Sequence, residues 1–131
     1  MRVITFHDPN EENGYLSNWY LSDFEVRGVK YTSMEQYMMH QKAVVFGNAE
    51  IAKQILATND VAFVKKLGRQ VSGYIENVWN GMRQILVFEG LMAKYSQNPD
   101  LGEKLKATGD ALLAEAAVRD HIWGIGLSMR D

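Results

Sequence analysis

Short stretches of alternating apolar and polar residues predict the few strands of this protein. Residues 3–6 are mostly β-branched or aromatic and lead into a turn-rich acidic segment at residues 8–14, so we expect a first strand there. Residues 24–31 place apolar side chains on both sides of Arg27-Gly28, which is typical of a hairpin of two short strands. The strand pattern is then nearly exhausted.

A methionine-rich helix is predicted directly after the hairpin. A capping hydroxyl is available at Thr32 or Ser33, and a carboxylate or carboxamide follows about three residues later, at Glu35 or Gln36. This spacing predicts a capping box, in which the two side chains satisfy backbone N–H groups that the first turn of a helix leaves without partners. The helix continues to about residue 46.

Two short helices and one long helix are predicted next. Asn48 is expected to cap the first, which runs to about Ala57, and Asp60 begins the second, which Gly68 ends as a C-cap glycine. Residues 75–95 keep a helical spacing of apolar side chains for about five turns, which predicts the core helix. Its predicted core positions are Val78, Trp79, Met82, Ile85, Leu86 and Met92.

The last part of the chain mixes helix and loop signals. Residues 98–100 read Asn-Pro-Asp and predict a short helix that ends near residues 108–109. Residues 111–117 fit a strand or a helix, and residues 121–129 place two glycines in a loop where backbone can approach a ligand closely. We therefore predict a single α+β domain over residues 1–131, mostly helical with a few short strands.

Composition narrows the classes of function. With 47% apolar and 23% charged residues the chain is globular, and a net charge of −2 gives no general attraction to nucleic acid or anionic membrane. The absence of cysteine excludes disulfides, thiol nucleophiles and cysteine-based zinc sites, and the three histidines are too scattered to predict a metal site. Neither a secretory signal nor a membrane-spanning run is present in the sequence, so a soluble cytoplasmic protein is expected.

Glu35 and Lys42 are the candidate catalytic residues of the methionine-rich helix. They are seven residues apart, almost two turns, so both project from nearly the same face, with Met38 and Met39 between them. Burial of either charge without a partner is costly, which favours a cleft. Apolar neighbours lower the pKa of a lysine and make it a nucleophile toward a sugar C1 carbon, whereas a nearby carboxylate raises that pKa, so the pair would titrate together.

Each of these residues also has a purely structural interpretation. Glu35 can serve only as the carboxylate of the capping box. Lys42 can lay its stem over apolar surface while its amine reaches water. Arg69 is a candidate phosphate-binding fork, although a surface arginine is the commoner outcome.

Further candidate ligand-binding residues lie near the two ends of the chain. Asn18 and Trp19 put a carboxamide beside an aromatic ring, which suits stacking on a planar base and reading its edge, or else a core tryptophan with a turn asparagine. Asp120 can bind a ribose hydroxyl or cap its loop. Trp123 precedes a lone G-x-G motif that starts at Gly124, which is a weak signal by itself.

The chain resembles the YbiA-like, or NADAR, family over almost its whole length. The resemblance rests on FHDPNEENGYLSNWY, on YTSMEQYMMHQKAVVF, on LGR, on the VWN helix and on DHIWGIGL, in that order. It implies the compact α+β YbiA-like fold and N-glycosidase chemistry on ribosylated bases. We predict that the reaction needs no metal and no cofactor. The pocket residues that it implies are Asn18, Trp19, Glu35, Lys42, Arg69, Asp120, Trp123 and Gly124.

The resemblance also implies a choice of substrates. Some members are associated with cleaving the N–C1′ bond of early riboflavin-pathway ribosylamino-pyrimidine phosphates, and others with removing ADP-ribose from guanine in nucleic acid, where the lysine that corresponds to Lys42 is implied to act covalently. We predict an N-glycosyl hydrolase of the first kind. The alternatives are an ADP-ribosyl hydrolase, with nucleic acid only as an ADP-ribosylated substrate, and a non-catalytic module that binds ADP-ribose or an NAD metabolite.

The family pattern continues beyond the W-G-x-G loop, so the resemblance further predicts that the chain lacks the family's C-terminal segment.

Overall fold

The structure, a computed structural model, describes residues 2–115, 121–122 and 127–128. In chain order the elements are β1 (Val3–Phe6), β2 (Phe24–Val26), β3 (Val29–Tyr31), α1 (Met34–Val45), α2 (Ala49–Leu56), α3 (Val61–Arg69), α4 (Glu76–Gln97), α5 (Pro99–Ala107), β4 (Leu112–Glu115), β5 (His121–Ile122) and β6 (Leu127–Ser128). The described part of the chain is thus mostly helical with short strands, as predicted. None of the helices in these described ranges is both long enough and apolar enough to cross a membrane.

The chain divides into two compact units, one of Met1–Tyr20 with Asp100–Asp131 and one of Leu21–Pro99. The single domain expected from the sequence therefore stays a prediction. In the first unit β1 and β4 pair in parallel and β5 and β6 pair antiparallel. The Tyr15 hydroxyl donates to the carbonyl oxygen of Lys104 at 3.2 Å. In the segment for which the sequence left strand and helix open, Leu112–Glu115 form a strand, β4.

The predicted hairpin is confirmed in the second unit. β2 and β3 are antiparallel, with Phe24 opposite Tyr31. The turn between them is Arg27-Gly28, and both residues have positive φ, 49° and 81°. A left-handed arginine is uncommon. Its guanidinium forms an ion pair with Glu89 of α4, which ties the hairpin turn to that helix.

Two apolar clusters stabilise the second unit. The first joins the hairpin, α1 and α4, and its buried members are Phe24, Val26, Tyr31, Met34, Tyr37, Met38, Trp79 and Leu86. The second joins α1, α2 and α3, and its buried members are Ala43, Ala52, Ile55, Val64, Leu67 and Val71. Because α1 contributes to both clusters, it is buried on two sides, which explains its high apolar content.

The start of α1 shows which residue completes the cap. The Ser33 hydroxyl accepts from the backbone N–H of Gln36 at 3.0 Å, and the Gln36 side-chain oxygen accepts from the backbone N–H of Thr32 at 2.7 Å. The Gln36 amide nitrogen also donates to the carbonyl oxygen of Thr58 at 2.8 Å. The third position of this helix therefore belongs to Gln36, and the interpretation of Glu35 as the capping-box carboxylate is wrong.

Two predicted helix boundaries also need correction. Asn48 precedes α2 as expected, but its side chain makes no capping hydrogen bond, because it binds the loop after α3 instead. Gly68 does not end α3, which continues through Arg69. Gly68 is a packing glycine, since a Cβ atom there would collide with the side chain of Met39 on α1. The predicted cap at Asp60 is confirmed by its bonds to two backbone N–H groups.

The long helix buries a narrower face than its pattern predicts. Trp79 and Leu86 are buried as expected, whereas Val78, Met82, Ile85 and Met92 are between 39% and 73% exposed. The buried residues of α4 recur at Trp79, Leu86, Gly90 and Lys94, which is one helical face. The apolar pattern covers more than this face, so the sequence alone does not indicate which side meets the core.

Candidate active site

Glu35 and Lys42 lie on one face of α1 and are both half-buried. Met39 lies between them at the intervening i+4 position and packs against both apolar clusters. Burial lowers the pKa of the Lys42 amine, and the negative charge of Glu35 opposes this by raising it. The two groups are therefore electrostatically coupled, as their spacing predicts.

The Lys42 amine has a defined place. Its Nζ donates to the carbonyl oxygen of Gly68 at 2.9 Å, near the C-terminal end of α3. It also lies over the ring of Tyr74, 4.6 Å from the ring centre. A helix C-terminus and an aromatic face both favour a cation. Lys42 is consequently not a lysine whose amine only reaches water.

Gly68 allows α3 to approach α1 at this point. The residue is buried, and the space that a Cβ atom would need is taken by the Met39 side chain. The close approach brings the Gly68 carbonyl within reach of Lys42. In the sequence, a glycine before Arg69 favours a helix end, because glycine is common at that position, and its role in packing gives no local signal.

The other predicted site residues are distributed as follows. Arg69 is the last residue of α3 and is exposed, one position after the residue that binds Lys42. Asn18 and Trp19 belong to the first unit and are half-buried, and the backbone N–H of Trp19 donates to the Ser17 hydroxyl at 3.1 Å. Their place in one pocket with Glu35 and Lys42 stays a prediction.

Three predicted pocket residues, Asp120, Trp123 and Gly124, lie outside the described residues. Within the described ranges, no cluster of three or more His, Asp or Glu side chains is arranged to hold a metal ion.

Tyr74 also belongs to the candidate site, although no sequence pattern predicts it. It lies in the loop between α3 and α4. Its ring contacts the ring of Phe46 edge-on, with 5.4 Å between the ring centroids, and the Lys42 amine lies over its face. A tyrosine in a short loop between two helices gives no sequence signal of such a contact. Two open grooves of about 420 and 450 Å³ elsewhere in the second unit share Lys30 and Thr32 in their walls, and neither is lined by Glu35 or Lys42.

Comparison with known proteins gives relatives over nearly the whole chain. The sequence profile of the NADAR domain matches residues 5–131. The chain is 36% identical to N-glycosidase R617 of Acanthamoeba polyphaga mimivirus over 97% of its own length and 79% of that protein. It is 31% identical to riboflavin biosynthesis protein VVA0006 of Vibrio vulnificus, over 94% of this chain but only 33% of that protein. The solution structure of Escherichia coli YbiA matches with a TM-score of 0.80 at 25% identity, over 94% of this chain and 71% of that one.

The chain is an α+β protein with the fold of Escherichia coli YbiA. It belongs to the NADAR family, because the family profile matches nearly all of it. The predicted fold and family are thereby confirmed. The predicted enzyme class is confirmed at the level of the family, whose members R617 and YbiA are named N-glycosidases.

Proposed function

We propose that the chain hydrolyses the N–C1′ bond of a riboflavin-pathway ribosylamino-pyrimidine phosphate, with Glu35 and Lys42 as catalytic residues. The observation that carries the proposal is the coupling of a half-buried carboxylate and a half-buried amine on one face of α1. The relatives named N-glycosidases support the reaction type, and the relative named for riboflavin biosynthesis supports the substrate class.

Cleavage of this bond makes C1′ electron-poor and leaves an electron pair on the departing nitrogen. Catalysis therefore needs negative charge near C1′ and a proton for the nitrogen. In a direct route, Glu35 stabilises the positive charge at C1′ and takes a proton from the attacking water, while the Lys42 ammonium supplies a proton to the leaving nitrogen.

A covalent route uses the same two groups in other roles. The neutral Lys42 amine attacks C1′, the bond between C1′ and the base nitrogen breaks, and the base leaves with the proton that the attacking amine gives up. The sugar attached to Lys42 opens to an imine, and water hydrolyses the imine to release the sugar and the free amine. Burial of Lys42 favours this route because it lowers the pKa of the amine.

The remaining predicted residues complete the proposal. Trp19 or Trp123 stacks on the base, and Asn18 and Asp120 bind its polar edge and the ribose hydroxyls. Gly124 lets backbone approach the ligand. Arg69 holds the phosphate. The half-buried state of Trp19 and the exposure of Arg69 support these roles, since both side chains remain accessible to a ligand.

A second candidate is release of ADP-ribose from guanine in nucleic acid. One observation favours it: α3, whose Gly68 binds Lys42, also carries the exposed basic residues Lys65, Lys66 and Arg69. Such a row of cations suits a polyanionic substrate more than a single phosphate.

Incubation of the chain with each substrate class, followed by mass spectrometry of the released base, tests the proposal. Glu35→Gln and Lys42→Ala should abolish base release in the steady state and leave the fold intact. The matched controls are Glu50→Gln and Lys53→Ala on the exposed side of α2, which should retain full release. Full activity in both Glu35→Gln and Lys42→Ala would refute the catalytic assignment. Binding of ADP-ribose by calorimetry with no base released would instead indicate a binding module.

Borohydride reduction during turnover separates the two routes. The covalent route predicts a sugar adduct on Lys42 that is absent in Lys42→Arg, whereas the direct route predicts base release with no adduct.

The cytoplasmic location also stays a prediction, and fractionation of cells that express the tagged chain tests it.

A further inference from the structure

Tyr74 contacts the Lys42 amine although much of its own side chain is exposed. Tyr74 is 43% accessible and belongs to neither apolar cluster, yet its ring face lies 4.6 Å from the Lys42 amine. The orientation of the Tyr74 ring is also restricted by Phe46, whose ring contacts it edge-on. The ring is therefore oriented from α1 on both counts, since Lys42 lies on this helix and Phe46 directly follows it.

The loop that carries Tyr74 is fixed by the side chain of Asn48. The Asn48 amide nitrogen donates to the carbonyl oxygens of Phe46 and Ser72, both at 2.9 Å. The Asn48 amide oxygen accepts from the backbone N–H of Ser72 at 3.0 Å and from its hydroxyl at 2.9 Å. Gly73 follows with a φ of 74°, a conformation that suits glycine. The loop is thus locked two residues before Tyr74.

We propose that Tyr74 is a positioning residue that holds the Lys42 amine in its charged form at the end of α3. The inference rests on the proposed function in that Lys42 is taken as catalytic. Three groups converge on the amine: the Tyr74 ring, the Gly68 carbonyl oxygen and, through its field, the Glu35 carboxylate. Together they fix where the amine stands before the substrate arrives.

An aromatic face attracts an ammonium ion and not a neutral amine. The contact therefore weakens as soon as Lys42 loses its proton. This makes the arrangement suited to a group that must be held while resting and released when it reacts. Tyr74 does not itself have to touch the substrate for this effect.

The electrostatic surroundings of Lys42 come from three elements. α1 contributes Glu35, and the loop contributes the Tyr74 ring. α3 contributes the partial negative charge of its C-terminal carbonyls, and its last turn also carries the basic residues Lys66 and Arg69. Removing the ring takes away one group that favours the ammonium and leaves the others unchanged.

Carbon-13 chemical shifts of the lysine Cε atoms, followed against pH in the full chain, test the proposal without any substrate. The Lys42 signal is assigned as the one missing in Lys42→Arg. Tyr74→Leu keeps an apolar side chain but has no aromatic face, so the pKa of Lys42 should fall by roughly 0.5 to 1. Tyr74→Phe keeps the face and should titrate like the unmodified chain. Asn48→Ser frees the loop and should lower the pKa in the same direction as Tyr74→Leu.

An unchanged Lys42 titration in Tyr74→Leu, or an equal shift in Tyr74→Phe, would overturn the proposal. Where the chain releases base by the direct route, in which the Lys42 ammonium gives its proton to the leaving nitrogen, Tyr74→Leu should lower kcat with little change in KM, and Tyr74→Phe should keep the kcat of the unmodified chain. If no substrate is cleaved but the titrations follow the expected order, the positioning role of Tyr74 stands and the proposed function fails.

Discussion

Gly90 of α4 lies directly against the ring of Tyr37 on α1. A Cβ atom at position 90 would stand 2.6 Å from Cε2 of Tyr37 and 2.9 Å from the sulfur of Met34. Tyr37 is fully buried, and its hydroxyl donates to Glu89 at 2.8 Å, so the ring cannot move aside freely. The close approach of the two helices therefore depends on glycine at this position.

Gly90→Ala should lower the free energy of unfolding by about 1–3 kcal/mol, because the added methyl group overpacks the core. Gly81→Ala is the matched control in the same helix, where nothing lies within 4 Å of the new atom. It should raise the free energy of unfolding by about 0.5–1 kcal/mol through helix propensity. Urea denaturation measures both. Equal effects of the two substitutions would contradict the close packing of Gly90.

The role of Asn48 predicts a second contrast between two residues at helix starts. Serine is as good a helix cap as asparagine, so Asn48→Ser would be nearly neutral if Asn48 capped α2. Because its amide instead bonds Phe46 and Ser72, we expect Asn48→Ser to lower the free energy of unfolding by about 2 kcal/mol. Asp60→Ser, at a true cap, should change it by only a few tenths of a kcal/mol, roughly. Denaturation curves in which both variants behave alike would restore the capping interpretation.

Helix starts and turns could be predicted from the sequence, whereas contacts between distant residues could not. Helix starts at Ser33 and Asp60 and the turn at Arg27-Gly28 were predictable, because each depends on hydrogen bonds or backbone geometry within four residues of chain. The roles of Asn48 and Gly68 were not, because their partners lie 24 and 29 positions away in sequence. A local sequence pattern predicts the most common role of a residue type. At Asn48 and Gly68, tertiary contacts give the residue a different role.

The candidate site divides in the same way. That Glu35 and Lys42 share a face follows from helical geometry alone, and their electrostatic coupling agrees with it. The Gly68 carbonyl and the Tyr74 ring reach Lys42 only because α3 packs on α1 and the next loop folds back over it. Neither contact has a spacing that a linear pattern could reveal.

The acidic group that joins the hairpin to α4 should make stability depend on pH. Glu89 is partly desolvated, which raises its pKa, but hydrogen bonds from Tyr37 and Arg27 outweigh this and hold the pKa below its ordinary value. A carboxyl with a lowered folded pKa stabilises the fold above its unfolded pKa, near 4.5, and loses that contribution as the pH falls through the folded value. Glu89→Gln should therefore destabilise at neutral pH, and the loss should shrink below about pH 5.

Urea denaturation at a series of pH values measures this dependence. The control is Glu103→Gln, which removes an exposed pair with Lys106 and should have little effect at any pH. A destabilisation by Glu89→Gln that is the same at every pH would show that lost packing, and not the carboxylate charge, is responsible.

The coupling of Glu35 to Lys42 predicts opposite effects of one substitution on turnover and on trapping. The negative charge of Glu35 raises the pKa of Lys42, so Glu35→Gln should lower that pKa and increase the fraction of neutral amine at a given pH. If Lys42 is the nucleophile, base release should be lost in the steady state while the borohydride-trapped adduct forms at lower pH than in the unmodified chain. The exposed Glu50→Gln should leave both profiles in place. If the pH dependence of trapping is the same in Glu35→Gln as in the unmodified chain, the carboxylate does not act on the amine. Removing its charge would then have no effect on how readily Lys42 gives up its proton.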